Sequence, residues 1–258
     1  MSKRTDSIVE WLRQRLNQSG ARGFVFGLSG GVDSAVVARL CQAAAPANAV
    51  GVLMPCHSDP QDESDAQLVA DHFHIPTLRV DLGPTYDRFT TTLRDAILSL
   101  PADQFPGADD ATGDIKARLP LANVKPRLRM TALYFVANTL NYMVAGTGNL
   151  SELSIGYFTK YGDGGVDPLP IGEMHKSEVR AAAKELGVPD PVIDKPPSAG
   201  LWLGQTDEAE MGFSYAELEN YLTDGAERVS PALAMRIERL MRTSEHKRAM
   251  APTPGATS

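Results

Sequence analysis

Apolar positions along this chain change period in a regular way. Over Asp6 to about Gln18 they recur at helical spacing, with Ile8, Trp11, Leu12 and Leu16 on one face. Short apolar runs then alternate with longer amphipathic stretches. Phe24–Leu28, Val50–Met54, Thr77–Val80 and Tyr142–Ala145 read as buried strands. Ser34–Ala45, Asp62–Phe73, Tyr86–Leu100 and Arg127–Asn141 read as helices. Alternation of this kind predicts an α/β fold with a doubly wound parallel sheet, covered by helices on both faces. Ligands in such sheets bind beyond the carboxyl ends of the strands. Three segments fall at those ends: Ser29-Gly30-Gly31, Pro55-Cys56-His57-Ser58 and Gly146-Thr147-Gly148.

Two stretches break the periodicity. Residues 101–120 mix Pro, Gly and Asp, and residues 188–206 carry Pro189, Pro191, Pro196, Pro197, Gly200 and Gly204. Loops of that length are often lids. Two further helices are expected at Tyr215–Leu222 and Ala232–Arg242, and a frayed end over 251–258.

The chain has 258 residues and a net charge of −7, which makes it a poor general binder of nucleic acid. Its two cysteines, Cys41 and Cys56, form no C-x-x-C pair, so zinc and redox chemistry are weakly supported. No signal peptide and no apolar run of about 18 residues is seen, so the expected compartment is the cytoplasm and no membrane partner is expected.

Ser29-Gly30-Gly31-Val32-Asp33-Ser34 sits on the turn from a strand into a helix. Such a turn aims backbone N–H groups and the positive end of the helix dipole at an anion. Glycine allows a phosphate to approach the backbone. Asp33 adds a carboxylate suited to magnesium. The stretch is not GxxxxGK[ST]; it resembles the PP-loop of ATP pyrophosphatases.

Four other segments carry chemistry. In Gly146-Thr147-Gly148-Asn149-Leu150-Ser151-Glu152, Thr147 is a candidate for bonding phosphate or adenine. Glu152 reads either as a second magnesium ligand or as a carboxylate favouring a helix N-terminus. Lys176 stands at a helix start, where the dipole disfavours it unless an anion is bound; His175 beside it reads as a capping or surface residue. Lys125, Arg127 and Arg129 pack three cations into five positions at what reads as a helix start, which suggests an anionic ligand. Glu245-His246-Lys247-Arg248 is a second basic group, readable also as a solvated tail.

Taken together, GLSGGVDS (27–34), NVKPRLRM (123–130), GTGNLSE (146–152), GYFTKYGDGGVDPLPIGEMHKSEVR (156–180), KPPSAGLWLGQTDEAEMG (195–212) and EHKR (245–248) resemble the NAD synthetases, in their short, ammonia-dependent form. The resemblance spans nearly the whole chain. It implies a PP-loop fold of the adenine-nucleotide alpha-hydrolase type, one domain over 1–258 with a helical extension at about 207–250. It implies that Gly27, Leu28, Ser29, Gly30, Gly31, Val32, Asp33 and Ser34 hold ATP phosphates, and that Thr147, Lys176 and Ser198 contact ATP. Asp33 and Glu152 would bind magnesium, and Asp33 and Lys176 would serve catalysis. Arg127, Lys160, Asp167, His246 and Lys247 would contact deamido-NAD. Pro126, where the family often has alanine, is expected in a first helical turn, where proline is tolerated. Ser198 keeps the hydroxyl of the family's threonine.

The implied reaction is ATP-dependent amidation of deamido-NAD by ammonia, through an NAD-adenylate, with release of AMP and pyrophosphate. The implied assembly is a homodimer whose C-terminal tail reaches the dinucleotide at the subunit boundary. The first strand lies too near the start for an N-terminal glutamine-hydrolysing domain, so ammonia is expected from solution or a separate partner. Two alternatives share the PP-loop: a tRNA thiolase or amidotransferase, and a non-catalytic adenine-nucleotide sensor. The acidic charge, the missing cysteine pair and the GDGGVD loop weigh against the first. The two candidate metal carboxylates weigh against the second.

Overall fold

The computed structural model describes residues 2–101, 115–198, 200 and 206–254, with side chains from 119 onward in the helix that begins at 115. The elements run α1 (Lys3–Ser19), β1 (Gly23–Gly27), α2 (Val32–Ala44), β2 (Ala49–Leu53), α3 (Pro60–Phe73), β3 (Thr77–Arg79), α4 (Gly83–Leu98), α5 (Ile115–Leu140) and β4 (Tyr142–Val144). They continue with α6 (Leu150–Ile155), α7 (Lys176–Leu186), α8 (Asp190–Ile193), α9 (Asp207–Met211), α10 (Tyr215–Asp224), a 3-10 turn, α11 (Pro231–Thr243) and α12 (Glu245–Arg248).

All strand pairs are parallel, in the order β3-β2-β1-β4. β1 is buried along nearly its whole length because it lies at the centre. Its residues alternate between two cores. Phe24 and Phe26 pack with α1, α2, α3 and α7, whereas Val25 packs with Leu133 and Ala137 of α5 and with Leu82. Helices thus cover both faces, as the pattern predicts. The chain steps outward from β1 to β3 and returns beside β1 as β4. That reversal opens a crevice at the carboxyl ends of β1 and β4. A third apolar cluster joins α6 to α9, α10 and α11 through Ile155, Met211, Leu218 and Ile237.

Differences from expectation centre on α5. It begins at Ile115, so 115–120, expected to be irregular, are helical, while 102–114 lie outside the described residues. Pro120 and Pro126 are therefore inside a helix, not in its first turn. Each lacks the N–H that would donate to the carbonyl four residues earlier. The Lys125–Arg129 group is mid-helix for the same reason. In the second irregular stretch, α8 forms around Asp190–Ile193, and residues 199 and 201–205 lie outside the described residues. Of the expected frayed end, 251–254 belong to no helix or strand, and 255–258 lie outside the described residues. Among the described residues, no helix is long and apolar enough to cross a membrane.

Gly30 is the tightest point of the phosphate turn. Its φ is +77°, and a Cβ there would lie 2.9 Å from Asp65 Cβ and 3.0 Å from Ala66 N, with the Asp62 carbonyl closer still. Gly20, which ends α1 at φ +71°, has nothing within 4 Å. An alanine in the left-handed region costs about 1–2 kcal/mol from its own backbone. Gly20→Ala is expected to lose about that much stability. Gly30→Ala is expected to lose clearly more, because α3 must also shift. Denaturant unfolding of the two variants checks this; equal losses would contradict it.

Candidate active site

The crevice is a cavity of ≈ 530 Å³. Its lining includes Gly27, Leu28, Ser29, Gly31, Val32, Asp33 and Ser34, together with Thr147, Glu152, Lys176, Ser198, Asp207 and Lys247. The phosphate turn is braced from within. Ser34 Oγ donates to Gly31 O at 2.8 Å, and Ser29 N and Oγ approach Ser34 Oγ at 3.2 and 3.1 Å. No side chain caps α2 at Gly31. The first-turn N–H groups of α2 therefore point into the cavity without a capping acceptor, which is an anion-binding arrangement.

Helices α2, α6 and α7 bring their N-termini to the same place. Asp33 comes from α2, Glu152 from α6 and Lys176 from α7. Lys176 Nζ lies 2.5 Å from Asp33 Oδ2 and 3.3 Å from Glu152 Oε1. Lys176 is buried, and burial would lower its pKa, but the Asp33 and Glu152 carboxylates outweigh that and hold it above its ordinary value. The helix-dipole penalty inferred for Lys176 is thus met within the chain, by two carboxylates.

Of the two readings of Glu152, the structure shows the helix N-terminal one. Its Oε2 accepts from Asn149 N at 3.3 Å while Asn149 Oδ1 accepts from Glu152 N at 3.0 Å, a reciprocal cap of α6. Its Oε1 faces Lys176 and lies 3.2 Å from Tyr215 OH. Burial pushes the Glu152 pKa up to about 7, with Lys176 pulling it down and Asp33 and Asp207 pushing it up.

Asn149, Tyr215 and Asp207 complete the group, and the sequence reading assigned none of them a role. Asn149 is fully buried and donates to Asp33 Oδ1 at 3.0 Å, which fixes the carboxylate. Its signal in the sequence is an asparagine three residues before Glu152, a capping pattern. Tyr215 OH donates to Asp207 Oδ2 at 2.8 Å, and Tyr157 OH reaches Asp207 Oδ1 at 3.2 Å and Glu210 Oε2 at 2.8 Å. Burial raises the pKa of Asp207, and the Lys176 charge and the two tyrosine hydroxyls oppose it. Asp207 lies in the QTDE stretch, but only the fold shows it facing Glu152.

Three carboxylates surround one ammonium, so the site carries excess negative charge. Among the described residues no three such groups are placed to hold a metal by themselves. The donor set fits magnesium, which is held by one or two carboxylates with phosphate and water supplying the rest.

Other expected residues lie elsewhere. Thr147 and Ser198 line the cavity, and Ser198 Oγ accepts from Gly200 N at 3.1 Å. Lys195 anchors that segment to α3, with Nζ at 2.8 Å from Asp62 Oδ1 and 2.5 Å from Asp65 Oδ2. Arg127 is exposed on α5 and approaches Lys160 O at 3.4 Å, outside the cavity lining. Lys160 Nζ donates to His246 O. Asp167 is turned toward β4 and α5, accepting from Val144 N at 2.7 Å and from Tyr134 OH at 3.1 Å. The tail is not a solvated end. Lys247 Nζ donates to Gly156 O and Phe158 O, each at 2.7 Å, and lines the cavity of its own chain. That differs from a tail that serves only the neighbouring subunit. His175 caps α7, with its N–H donating to Glu178 Oε2 at 2.8 Å. Lys125 is buried over the Tyr86 ring, so the three cations of α5 do not form one group.

The raised pKa of Glu152 sets a pH dependence in the ligand-free protein. A carboxylate raised on folding contributes stability that is full below its unfolded value, near 4.5, and lost as pH rises through about 7. Glu152→Gln fixes the neutral form. Its melting temperature is expected to exceed the wild type's at pH 8, with the gap narrowing at pH 6. A gap independent of pH would contradict the assignment.

The family model for NAD synthase matches residues 4–251. The NH3-dependent NAD+ synthetase of Carboxydothermus hydrogenoformans is 46% identical over 252 residues, 98% of this chain and 97% of that protein. That of Syntrophomonas wolfei is 46% identical, covering 95% of this chain and 92% of its own. Among solved structures, an NMN synthetase from Francisella tularensis superposes with a TM-score of 0.86 at 35% identity, covering 98% of both chains. An NH3-dependent NAD synthetase from Campylobacter jejuni, in complex with nitrate, gives 0.75 at 28% identity, covering 98% of this chain and 99% of its own. With the PP-loop turn, the three helix N-termini and a match over nearly its full length, the chain belongs to the NAD synthase family.

Proposed function

We propose the following division of labour for the ATP-dependent amidation of deamido-NAD with ammonia. A carboxylate is a poor acyl donor because its leaving group would be oxide. In the first step a carboxylate oxygen of deamido-NAD attacks the α-phosphorus of ATP, and the bond to pyrophosphate breaks. In the second, ammonia attacks the acyl carbon of the NAD-adenylate, and AMP leaves with the bonding electrons. The observation that carries this reading is the uncapped α2 N-terminus beside the Asp33–Lys176–Glu152 group.

Charge builds on the phosphates in the first step, so groups aimed there lower the barrier most. The backbone at Gly30–Gly31 and the Lys176 ammonium take that part. Asp33 and Glu152 would hold magnesium, which when bound neutralises phosphate charge. Asn149 keeps Asp33 aimed. Thr147 and Ser198, both on the cavity wall, contact ATP. Lys247 borders the cavity and the row formed by Lys160, His246 and Arg127, which supports a dinucleotide that runs from the cavity onto the rim. Asp167 belongs to the same reading by resemblance.

Residues 1–258 act as one catalytic unit, with the helices from about 207 to 250 as an extension that delivers Asp207, Tyr215 and Lys247. A homodimer is inferred from α4, where Phe89, Leu93 and Ile97 form an exposed stripe, and from Phe135 on α5, 74% exposed; sedimentation of the purified chain checks it. A cytoplasmic location fits the use of ATP. The superposition on an NMN synthetase favours a second acceptor, the nicotinate mononucleotide half of deamido-NAD, to be assayed beside it.

With ammonium, deamido-NAD, ATP and magnesium, the purified chain is expected to release pyrophosphate and AMP and to form NAD. Glutamine is expected to support little turnover, because both cysteines are buried and burial pushes both thiols up. Asp33→Asn is expected to lower the rate by at least 100-fold with the fold retained, since two hard ligands become one. Pyrophosphate release alongside a thermal melt checks this. Efficient glutamine use, or normal turnover by Asp33→Asn, would contradict it.

A further inference from the structure

Among the described residues, four cationic side chains line the cavity: Arg129, Lys176, Lys195 and Lys247. Two are paired with carboxylates. Lys176 lies between Asp33 and Glu152, and Lys195 lies between Asp62 and Asp65. Lys247 gives two of its three N–H groups to backbone carbonyls. Arg129 differs. It makes no ion pair with a carboxylate among the described residues, and it donates from Nε to Met54 O at 3.3 Å and from Nη2 to Ser58 Oγ at 3.2 Å. A guanidinium has five N–H donors and stays charged in proteins. Two neutral acceptors therefore fix its plane but do not neutralise it, and three N–H groups have no acceptor among the described residues.

The place is a costly one for such a charge. Burial lowers the Arg129 pKa, with Cys56 and Asp163 partly offsetting it. Arg129 is half-buried, and its charge lowers the pKa of the buried Lys125 ammonium nearby. A buried charge is retained where something pairs with it. Arg129 is anchored to Met54, just beyond the carboxyl end of β2, and β2 pairs in register with β1. The phosphate turn lies at that same end of β1. The fork is thus held on the cavity wall one strand away from the phosphate turn, where planar bidentate recognition of an oxyanion is available.

We propose that Arg129 is a substrate-binding residue whose guanidinium pairs with an oxyanion of one substrate inside the cavity. The oxyanion is a phosphate of ATP, or the carboxylate or pyrophosphate of deamido-NAD. The proposal rests on the reading given above, in which both molecules enter this cavity. It also explains the cations of the 123–130 stretch: of the three, Arg129 is the one whose side chain lines the crevice.

The test is calorimetric binding of α,β-methylene ATP and of deamido-NAD, each alone, to the wild type, Arg129→Met and Arg129→Lys. Thermal melts of the ligand-free proteins run alongside. Arg129→Met is expected to weaken one of the two ligands by at least tenfold, and the ligand affected names the oxyanion. Arg129→Lys keeps the charge and loses the fork, so it is expected to recover only part of that loss. Ser58→Ala removes one tether and leaves the charge, and is expected to stay within about threefold of the wild type. Dissociation constants unchanged within twofold in Arg129→Met would overturn the proposal. So would a loss that Ser58→Ala reproduces together with the same drop in melting temperature, because Arg129 would then be only a structural tether. If the wild type itself binds neither ligand, the functional reading fails first and this proposal falls with it.

Discussion

The ammonium of Lys176 between the carboxylates of Asp33 and Glu152 is the contact on which the site depends. It ties together three helices that enter the crevice from different directions. Asp33 and Glu152 sit at helix N-termini, where a negative charge is favoured, while Lys176 sits at one where its charge is not. The carboxylates offset that penalty, and the lysine in turn offsets part of their mutual repulsion. Each member is held by a second contact. Asn149 fixes Asp33, the α6 cap and Tyr215 fix Glu152, and the Lys176 backbone N–H donates to Ser151 Oγ at 3.2 Å. Removing Lys176 leaves Asp33 and Glu152 facing each other with no cation between them, which is the expensive outcome.

The arrangement is not one that stability alone would select. Asp207 adds a third carboxylate with no cation of its own, and Glu152 is held near neutral pH. A site that keeps its groups displaced from their relaxed ionisation states costs folding free energy and gains readiness for a cation and for phosphate. The phosphate turn shows the same bias. Its helix lacks a capping side chain, although Ser29 and Ser34 stand close by and bond each other and the turn backbone instead.

Much of the fold was legible because the central elements obey simple periods. Apart from the start of α5, strand and helix positions from β1 to β4 agree within a few residues, and the doubly wound sheet follows from their alternation. The long helix α5 was cut short because Pro120 and Pro126 signal a break, and packing of Leu133 and Ala137 against the sheet overrides that local cost. At the site, Asp33, Glu152 and Lys176 could be named from strand-to-helix turns and the family resemblance. Their mutual contact could not, because Asp33 lies 143 positions from Lys176 in sequence. Asp207 and Tyr215 lie outside any local pattern with Glu152: Tyr215 reaches it from 63 positions away, and Asp207 joins through Tyr215. Arg129 was seen as one of three like charges, and only the turn of α5 separates it from Arg127 on the outside.

The most direct measurement on the central contact is a double-mutant cycle between Asp33 and Lys176, read by denaturant unfolding of the ligand-free protein. Asp33→Asn and Lys176→Met are each expected to destabilise, and the double variant is expected to lose less than the sum, by about 1 kcal/mol or more. Losses that add within about 0.3–0.5 kcal/mol would mean that the two side chains do not depend on each other, and would contradict the account.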